Sequence, residues 1–225
     1  MQTMYEKLMT LTVFKGIGAE QLSSILEKTH LEFASHDAGE YIKESGEECR
    51  EVTSVLSGEI ETETSIAGGR SLMVCRYGSG KVFGLEYLFG MENKYGSSLR
   101  AVTRTGTMSF SKQQYMQMLS GNSICMINFL NYLSFKSQRI SQYVDAICSD
   151  DFSRRLAAIV TLMSDRDCDE IRIENIRGVS DSTCQAHTYE EVLKRYEDAS
   201  ILHMEGDTLI IPSRNDFLTF CSEPC

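Results

Sequence analysis

The sequence predicts an α+β protein in which a jelly-roll β-barrel is followed by a long helix and then by a winged-helix-like domain. Three patterns lead to this prediction. Glycines separate short β-type stretches between Leu31 and Ser111, and apolar residues then recur every three or four positions up to Asp151. The remaining residues alternate between helix and hairpin patterns. We therefore expect the barrel and its amino-terminal helices within residues 1–111, the long helix within 112–150 and the winged-helix-like domain within 151–225.

Length and composition narrow the class of protein. The 225 residues suit two modest domains, and 42% hydrophobic with 24% charged residues is ordinary for globular chains and excludes wholesale disorder. The sequence contains neither an apolar run of the ~18 residues that a membrane span needs nor the apolar core of a signal peptide. We expect a soluble, cytoplasmic chain that does not bind a membrane.

The reactive residues do not form a recognisable site. The eight cysteines are scattered without a CxxC pair, and the four histidines are equally dispersed. Reduced cysteines of this kind usually act as small core residues, so we predict neither a metal site nor a cofactor. There is also no P-loop, dinucleotide fingerprint or nucleophile triad spacing, which argues against an enzyme.

The first 111 residues predict two short helices and then a barrel. Gly16 and Gly18 interrupt the helical pattern of the first 30 residues. Short strands then recur at roughly ten-residue intervals, a spacing typical of a sandwich or barrel. Ala67-Gly-Gly-Arg70 is a strong hairpin signal. The predicted strands include Val52–Leu56, Glu59–Glu63 and Thr107–Phe110.

A heptad pattern runs along the predicted long helix. No Pro or Gly occurs between Asn122 and Asp150, so the helix can run for about 27 residues. Its apolar seam can pack either on its own domain or on a second copy of the chain, and the regular 4,3,4,3 spacing favours a homodimer. The predicted seam residues are Met126, Leu130, Leu133, Ser137, Ile140, Val144 and Ile147.

The last 75 residues have the outline of a winged helix. A helix is predicted over Phe152–Met163, and Thr188-Tyr-Glu-Glu191 has the spacing of a capping box that opens a second helix. A hairpin turning at Glu205-Gly-Asp207 follows, and a final helix is predicted to start at Ser213.

This order of elements resembles the Crp/Fnr family of transcription regulators. The motifs that carry the resemblance span most of residues 10–160, and their order is more specific than any one of them. The resemblance implies a dimeric, DNA-binding regulator with an effector pocket in the barrel. The motifs include Phe14-Lys-Gly-Ile-Gly18, Val55-Leu-Ser-Gly-Glu-Ile60, Phe83-Gly-Leu-Glu-Tyr-Leu-Phe89 and Arg155-Leu-Ala157.

The pocket implied by the resemblance lacks the residues that bind a cyclic nucleotide. Where family members place a ribose-binding Glu, this chain has Leu85, and where they place an Arg-Ser or Arg-Thr pair it has Tyr95 and Gly96. A phosphate needs a guanidinium fork and backbone donors, so cyclic AMP or GMP binding is not expected. Either the pocket takes another small molecule or Tyr95 fills it. The candidate pocket residues are Gly84, Leu85, Glu86, Tyr95, Gly96, Ser97 and Ser98.

The recognition helix implied by the resemblance also departs from the family. Its second half matches Val192–Ile201, but Ala186 and Glu191 replace the two arginines that usually face DNA. Residues 151–225 contain 8 basic and 15 acidic residues, a net charge of −7 within the chain's −10, which disfavours phosphate contacts. The candidate DNA contacts are Gln185, His187 and Thr188 for bases and Lys194, Arg195 and Arg177 for phosphates.

Two functions therefore fit the sequence. The first is a transcription regulator that binds DNA as a homodimer and whose barrel senses an unidentified small molecule or none. The alternative is a regulator-derived protein-interaction module that has lost DNA binding. The resemblance favours the first function, and the acidic charge favours the second.

Overall fold

The structure, a computed structural model, describes residues 14–27, 29–179 and 186–222, without the side chains of residues 186–188. These residues fall into two units. The first unit consists of the described residues up to Ile60 and of Gly78–Ser137. The second takes Glu61–Tyr77 together with the described residues from Gln138 onward. The domain boundaries drawn at 111 and 150 from the sequence stay a prediction.

The first unit contains a four-stranded antiparallel sheet in the order β1-β8-β3-β6 and the antiparallel strands β2 and β7, which pair with each other. Most residues of β3 and β8 are buried, among them Val52, Val55, Met108 and Phe110, so these two strands contribute to the core of the unit. The strands are β1 (Glu32–His36), β2 (Tyr41–Lys43), β3 (Glu51–Ser57), β6 (Val82–Phe83), β7 (Ser98–Ala101) and β8 (Thr105–Ser111).

Among the described residues, three helices belong wholly or partly to this unit, and the third continues past Ser137 into the second unit. Helix α1 (Ala19–Glu27) buries Leu22, and α2 (Lys112–Gly121) begins with a capping box between Ser111 and Gln114. Helix α3 (Ser123–Ile147) is the long helix and starts and ends within three residues of its predicted limits. Asn122 accepts hydrogen bonds from the backbone N–H groups at the start of α3, which fixes where that helix begins.

The second unit combines a hairpin with the winged-helix elements. Strands β4 (Ile60–Ile66, from Glu61 onward) and β5 (Ser71–Tyr77) are joined by a turn at Ala67–Gly69, where the sequence predicts a hairpin. Five strands are neighbours in the order β10-β11-β9-β5-β4. The remaining elements are α4 (Phe152–Met163), β9 (Cys168–Glu174), α5 (Ala186–Asp198), β10 (His203–Glu205), β11 (Thr208–Ile211) and α6 (Arg214–Ser222).

The winged-helix elements follow the sequence prediction with one change. Helix α4 has the predicted limits because Asp151 caps it, accepting hydrogen bonds from the N–H groups of Ser153 and Arg154. The β10–β11 turn lies at the predicted glycine, Gly206. Helix α5 begins at Ala186, before the predicted capping residue Thr188. In addition, no helix among the described residues is long and apolar enough to cross a membrane.

Candidate effector pocket and nucleic-acid interface

The first candidate site is the loop after β6, where the sequence predicts an effector pocket. Gly84 has φ = 101°, and a Cβ there would lie 2.8 Å from the carbonyl oxygen of Glu51. Only glycine fits this combination of positive φ and close backbone approach. The next residue, Leu85, is 3% exposed, so the side chain at the position where the sequence resemblance implies a carboxylate is apolar and buried.

Tyr95 occupies the space beside this loop. Its side chain is 3% exposed, and its ring stacks on Phe83 with a centroid distance of 5.2 Å and an interplanar angle of 20°. Tyr87 meets the same ring edge-on at 6.1 Å. The Tyr95 hydroxyl donates a hydrogen bond of 3.2 Å to the Glu51 carbonyl, and burial raises the pKa of Tyr95. The ring therefore lies in a close-packed aromatic cluster with a satisfied hydroxyl.

Cys49 lies beside Tyr95, against the same glycine. It is fully buried, and its Sγ lies 3.5 Å from the Gly84 carbonyl oxygen, to which it donates. Burial raises the pKa of the Cys49 thiol, which favours its neutral form. A neutral thiol, a leucine and a tyrosine provide no positive charge for a phosphate at this position.

Glu86, the carboxylate one residue after Leu85, contacts helix α3. The Tyr132 hydroxyl donates a hydrogen bond of 2.9 Å to Glu86 Oε2, and Lys136 Nζ lies 3.8 Å from Glu86 Oε1. Tyr132 and Lys136 are four residues apart and therefore lie on one face of the helix. These contacts tie the pocket loop to α3 through charged and polar groups.

The other three predicted pocket residues directly follow Tyr95 in the sequence. A Cβ at Gly96 would lie 3.1 Å from the Tyr87 hydroxyl, so glycine allows Tyr87 to lie against this backbone. Ser97 is buried, and the Ser98 hydroxyl accepts a 3.0 Å hydrogen bond from the Ser45 N–H. The structure thus brings all seven predicted residues into one region of the first unit.

The sequence prediction did not include Cys49, Phe83, Tyr87, Tyr132 or Lys136. Phe83 and Tyr87 stand inside the motif that led to the pocket, so a search for aromatic neighbours could have found them. Nothing in the local sequence pairs Tyr132 or Lys136 with Glu86.

Two cavities lie elsewhere in the described residues. One of about 480 Å³ is lined by residues of α1 and α2, and the other, of about 630 Å³, by residues of the second unit that include the β4–β5 turn. None of the seven predicted pocket residues lines either cavity. In addition, no group of three His, Cys, Asp or Glu side chains in the described ranges is arranged to hold a metal ion.

Helix α3 presents two different faces. Cys125 and Phe129 are buried on one face, where Phe129 contacts the rings of Phe89 and Tyr115 at 5.4 and 5.5 Å. The predicted heptad seam lies on the other face. Leu130, Ile140 and Val144 of that seam are 55%, 59% and 49% exposed, Ser137 is exposed, and Met126, Leu133 and Ile147 are half-buried.

The second candidate site is helix α5, which the sequence predicts to face DNA. Its residues Leu193 and Tyr196 are buried on one face of the helix. The Tyr196 ring contacts the rings of Phe217 and Phe220 at centroid distances of 5.6 and 5.2 Å. Burial raises the pKa of Tyr196 to about 12. The opposite face exposes four acidic and two basic side chains, namely Glu190, Glu191, Lys194, Arg195, Glu197 and Asp198.

Two of the predicted DNA contacts, Arg195 and Arg177, lie against other protein groups. The Arg195 guanidinium lies 5.1 Å from the centroid of the Tyr196 ring, a cation–π contact. Arg177 is 81% exposed, and its Nε lies 3.8 Å from a carboxylate oxygen of Asp207. Lys194 is exposed. Gln185 and the side chains of His187 and Thr188 lie outside the described residues.

Comparison with known proteins finds both sequences and structures that this chain resembles. A model of the cyclic nucleotide-binding domain family matches residues 34–122. The chain is 20% identical over 190 residues to the cAMP-activated global transcriptional regulator CRP of Haemophilus influenzae, a match that covers 81% of this chain and 85% of that protein. The crystal structure of the Thermus thermophilus catabolite activator protein aligns with a TM-score of 0.55 and 16% identity, covering 94% of this chain and 100% of that one.

These matches confirm the predicted fold class, a jelly-roll domain followed by a long helix and a winged-helix-like carboxyl-terminal part. They extend over both units, so the likeness is not confined to the barrel. Residues 34–122 thus match the cyclic nucleotide-binding domain family, and over most of its length the chain is similar to a transcription regulator, the CRP protein of Haemophilus influenzae.

Proposed function

We propose that this chain is a cytoplasmic transcription regulator, not an enzyme, that binds DNA as a homodimer and does not respond to cyclic nucleotides. The observation that carries the proposal is the combination of an exposed helix α5 with the β10–β11 hairpin beside it, within a chain homologous to a transcription regulator. A helix presented in this way is the element that winged helix-turn-helix proteins insert into the major groove.

The homodimer is supported by the two faces of α3. Cys125 and Phe129 already pack the helix on its own unit, so the seam of Leu130, Ile140 and Val144 is not needed for that packing. Three large apolar side chains that are about half exposed along one line favour association with a second copy in parallel. A dimer places two α5 helices for two DNA half-sites.

The lack of a cyclic nucleotide response follows from the contents of the pocket region. The relative from Haemophilus influenzae is cAMP-activated by name. In this chain Tyr95 and Leu85 are both 3% exposed in the corresponding region, and neither carries a charge that could pair with a phosphate. Of the two alternatives that the sequence leaves open, the packing of Tyr95 against Phe83 and Tyr87 favours a pocket filled by Tyr95 itself.

DNA binding should be weak, because few cations on α5 face the phosphates. The exposed face of α5 has four carboxylates against Lys194 and Arg195, and Arg195 also lies on the Tyr196 ring. Each phosphate that lacks a cationic partner contributes no counterion release, so the affinity should depend on salt only weakly.

The alternative function, a protein-interaction module, is favoured by one observation. Four exposed carboxylates on α5 and a net charge of −7 over residues 151–225 are unusual for a surface that approaches phosphates. The same surface would suit a basic protein partner.

A mobility-shift experiment separates the two functions. DNA from the promoter region of the protein's own gene is titrated at low salt, and the titration is repeated with a large excess of random DNA. A shifted band that survives the competitor supports the regulator. The absence of any shift at tens of micromolar protein would contradict DNA binding and favour the interaction module.

A further inference from the structure

The β4–β5 hairpin is built into the sheet of the winged-helix elements. Strand β5 pairs antiparallel with β9, with Met73 opposite Ile173 and Cys75 opposite Ile171. On its other edge β9 pairs with β11. Strand β9 is therefore an interior strand with hydrogen-bonded neighbours on both sides, and β5 covers what would otherwise be a sheet edge.

A buried carboxylate connects the three strands. Glu61 on β4 is 2% exposed, and its Oε1 accepts hydrogen bonds from Arg76 Nη2 on β5 at 3.1 Å and from Arg172 Nη2 on β9 at 2.6 Å. Arg172 also donates to Glu170 at 3.1 Å. The two arginines are about a third exposed, so only the carboxylate is fully removed from water.

The ionisation of Glu61 depends on these arginines. Burial acts to raise the pKa of Glu61, but the hydrogen bonds and charges of Arg172 and Arg76 outweigh it, so the pKa lies below its ordinary value. A buried carboxylate that kept its charge without both arginines would be costly, and this makes the hairpin and β9 depend on each other.

The turn end of the hairpin makes a second, uncharged set of contacts. The Ser71 hydroxyl donates a 2.8 Å hydrogen bond to the carbonyl of Asn175, and the Asn175 amide donates a 2.6 Å hydrogen bond to the carbonyl of Arg70. Gly178 lies against the same segment, where an added Cβ would meet Ser71 Oγ and would lie 2.9 Å from the Arg70 carbonyl oxygen.

We propose that the β4–β5 hairpin is a clamp that holds β9, and through β9 the β10–β11 wing, in an ordered state. The clamp closes when β5 pairs with β9 and Glu61 bonds to Arg172. When it opens, β9 becomes an edge strand and the wing loosens. The hairpin is joined covalently to β3 and β6 of the first unit, so the chain connects the two units here as well as through α3.

Hydrogen exchange of the full-length protein tests the clamp without any DNA. Glu61→Gln keeps the shape of the side chain but removes the charge that faces Arg172. We expect amides of β5, β9 and β11 to exchange roughly tenfold faster, equivalent to about 1.4 kcal/mol. Amides of β3 and β8 should exchange at the wild-type rate. The matched control is Glu59→Gln, which neutralises an exposed carboxylate just before β4 and should leave the whole pattern unchanged.

A second variant should open the clamp without changing either residue of the Glu61–Arg172 ion pair. Gly178→Ala introduces a methyl group against the Ser71 hydroxyl and against the Cβ and carbonyl oxygen of Arg70. This should speed amide exchange in the same three strands. Faster exchange confined to β5, β9 and β11 in both variants supports the clamp. Exchange of β9 within twofold of wild type in both variants would overturn it, as would an equal increase in β3 and β8.

Discussion

The pocket region of the first unit and the α5 surface of the second unit both depart from the family pattern, but they do so in different environments. Tyr95 and Leu85 are each 3% exposed, and an aromatic stack and a hydrogen bond accommodate Tyr95. Glu190 and Glu191 are exposed on α5, and the helix is held from its opposite face by Leu193 and Tyr196.

The difference shows where a changed residue acts. A replacement in a buried site must be accommodated by its neighbours, so it alters packing and stability together with ligand binding. A replacement on an exposed face leaves the fold intact and changes only the charge that a partner meets. The effect of the pocket residues should therefore be measurable in the free energy of unfolding, and the effect of the α5 charges in the salt dependence of DNA affinity.

Truncating Tyr95 should give the largest effect on stability. Tyr95→Ala removes a buried ring and should lower the free energy of unfolding by about 3–5 kcal/mol, measured by urea denaturation. Tyr95→Phe, which loses only the hydrogen bond to Glu51, should cost about 1 kcal/mol. Phe33→Ala is the exposed control, since Phe33 is 57% exposed, and should cost under about 1 kcal/mol. Equal losses for Tyr95→Ala and Phe33→Ala would contradict the packed pocket.

Charges on the α3 seam should prevent dimerisation while the chain stays folded. Leu130→Glu with Ile140→Glu should weaken self-association by about a hundredfold or more, because each would bury an unpaired carboxylate in the dimer. Both positions are more than half exposed in the single chain, so folding should tolerate the change. Sedimentation equilibrium measures the effect, with Gln142→Glu on the opposite face of the helix as control. A wild-type chain that is monomeric at tens of micromolar would show that the seam is not a dimer interface.

The Glu61 ion pair predicts a defined pH dependence. Because the folded pKa of Glu61 is lowered, its stabilising contribution is fully present above its unfolded pKa, about 4.5, and is lost as the pH falls through the folded pKa. Glu61→Gln should be less stable than wild type by about 1 kcal/mol at pH 7, and this gap should shrink below about pH 4.5. Urea denaturation at pH 7 and pH 3.5 measures both gaps. A gap that is constant across this range would mean that Glu61 is not held as a carboxylate.

Reversing one charge on α5 should give the smallest effect. Glu191→Arg should strengthen DNA binding and steepen the log–log salt slope by about 1, the contribution of one additional phosphate contact. Fluorescence anisotropy at several salt concentrations measures the slope. Glu63→Arg, on strand β4, provides a charge-matched control and should leave the slope unchanged if α5 is the surface that meets DNA.

Local sequence patterns predicted most of the fold. The capping residue Asp151 and the polar run after Met163 set the limits of α4, and the glycines at 68 and 69 set the β4–β5 turn. The capping-box spacing at Thr188 misplaced the start of α5, which begins two residues earlier at Ala186.

Long-range pairings could not be predicted in the same way. Glu61 and Arg172 are 111 residues apart, and neither stands in a motif that marks it as buried or paired. The sequence also left open whether Tyr95 fills the pocket, because that depends on how Phe83 and Tyr87 pack around it. The DNA contacts stay a prediction, since Gln185 and the side chains of His187 and Thr188 lie outside the described residues.

The most direct test of the proposed function is a titration of promoter DNA with wild-type protein, followed by anisotropy at several salt concentrations with and without cyclic AMP or cyclic GMP. We predict specific but weak binding, a log–log salt slope of magnitude nearer about 3 than about 8, and the same affinity with or without nucleotide. Nanomolar binding with a steep slope would contradict the acidic interface. Tighter binding on addition of either nucleotide would contradict the filled pocket.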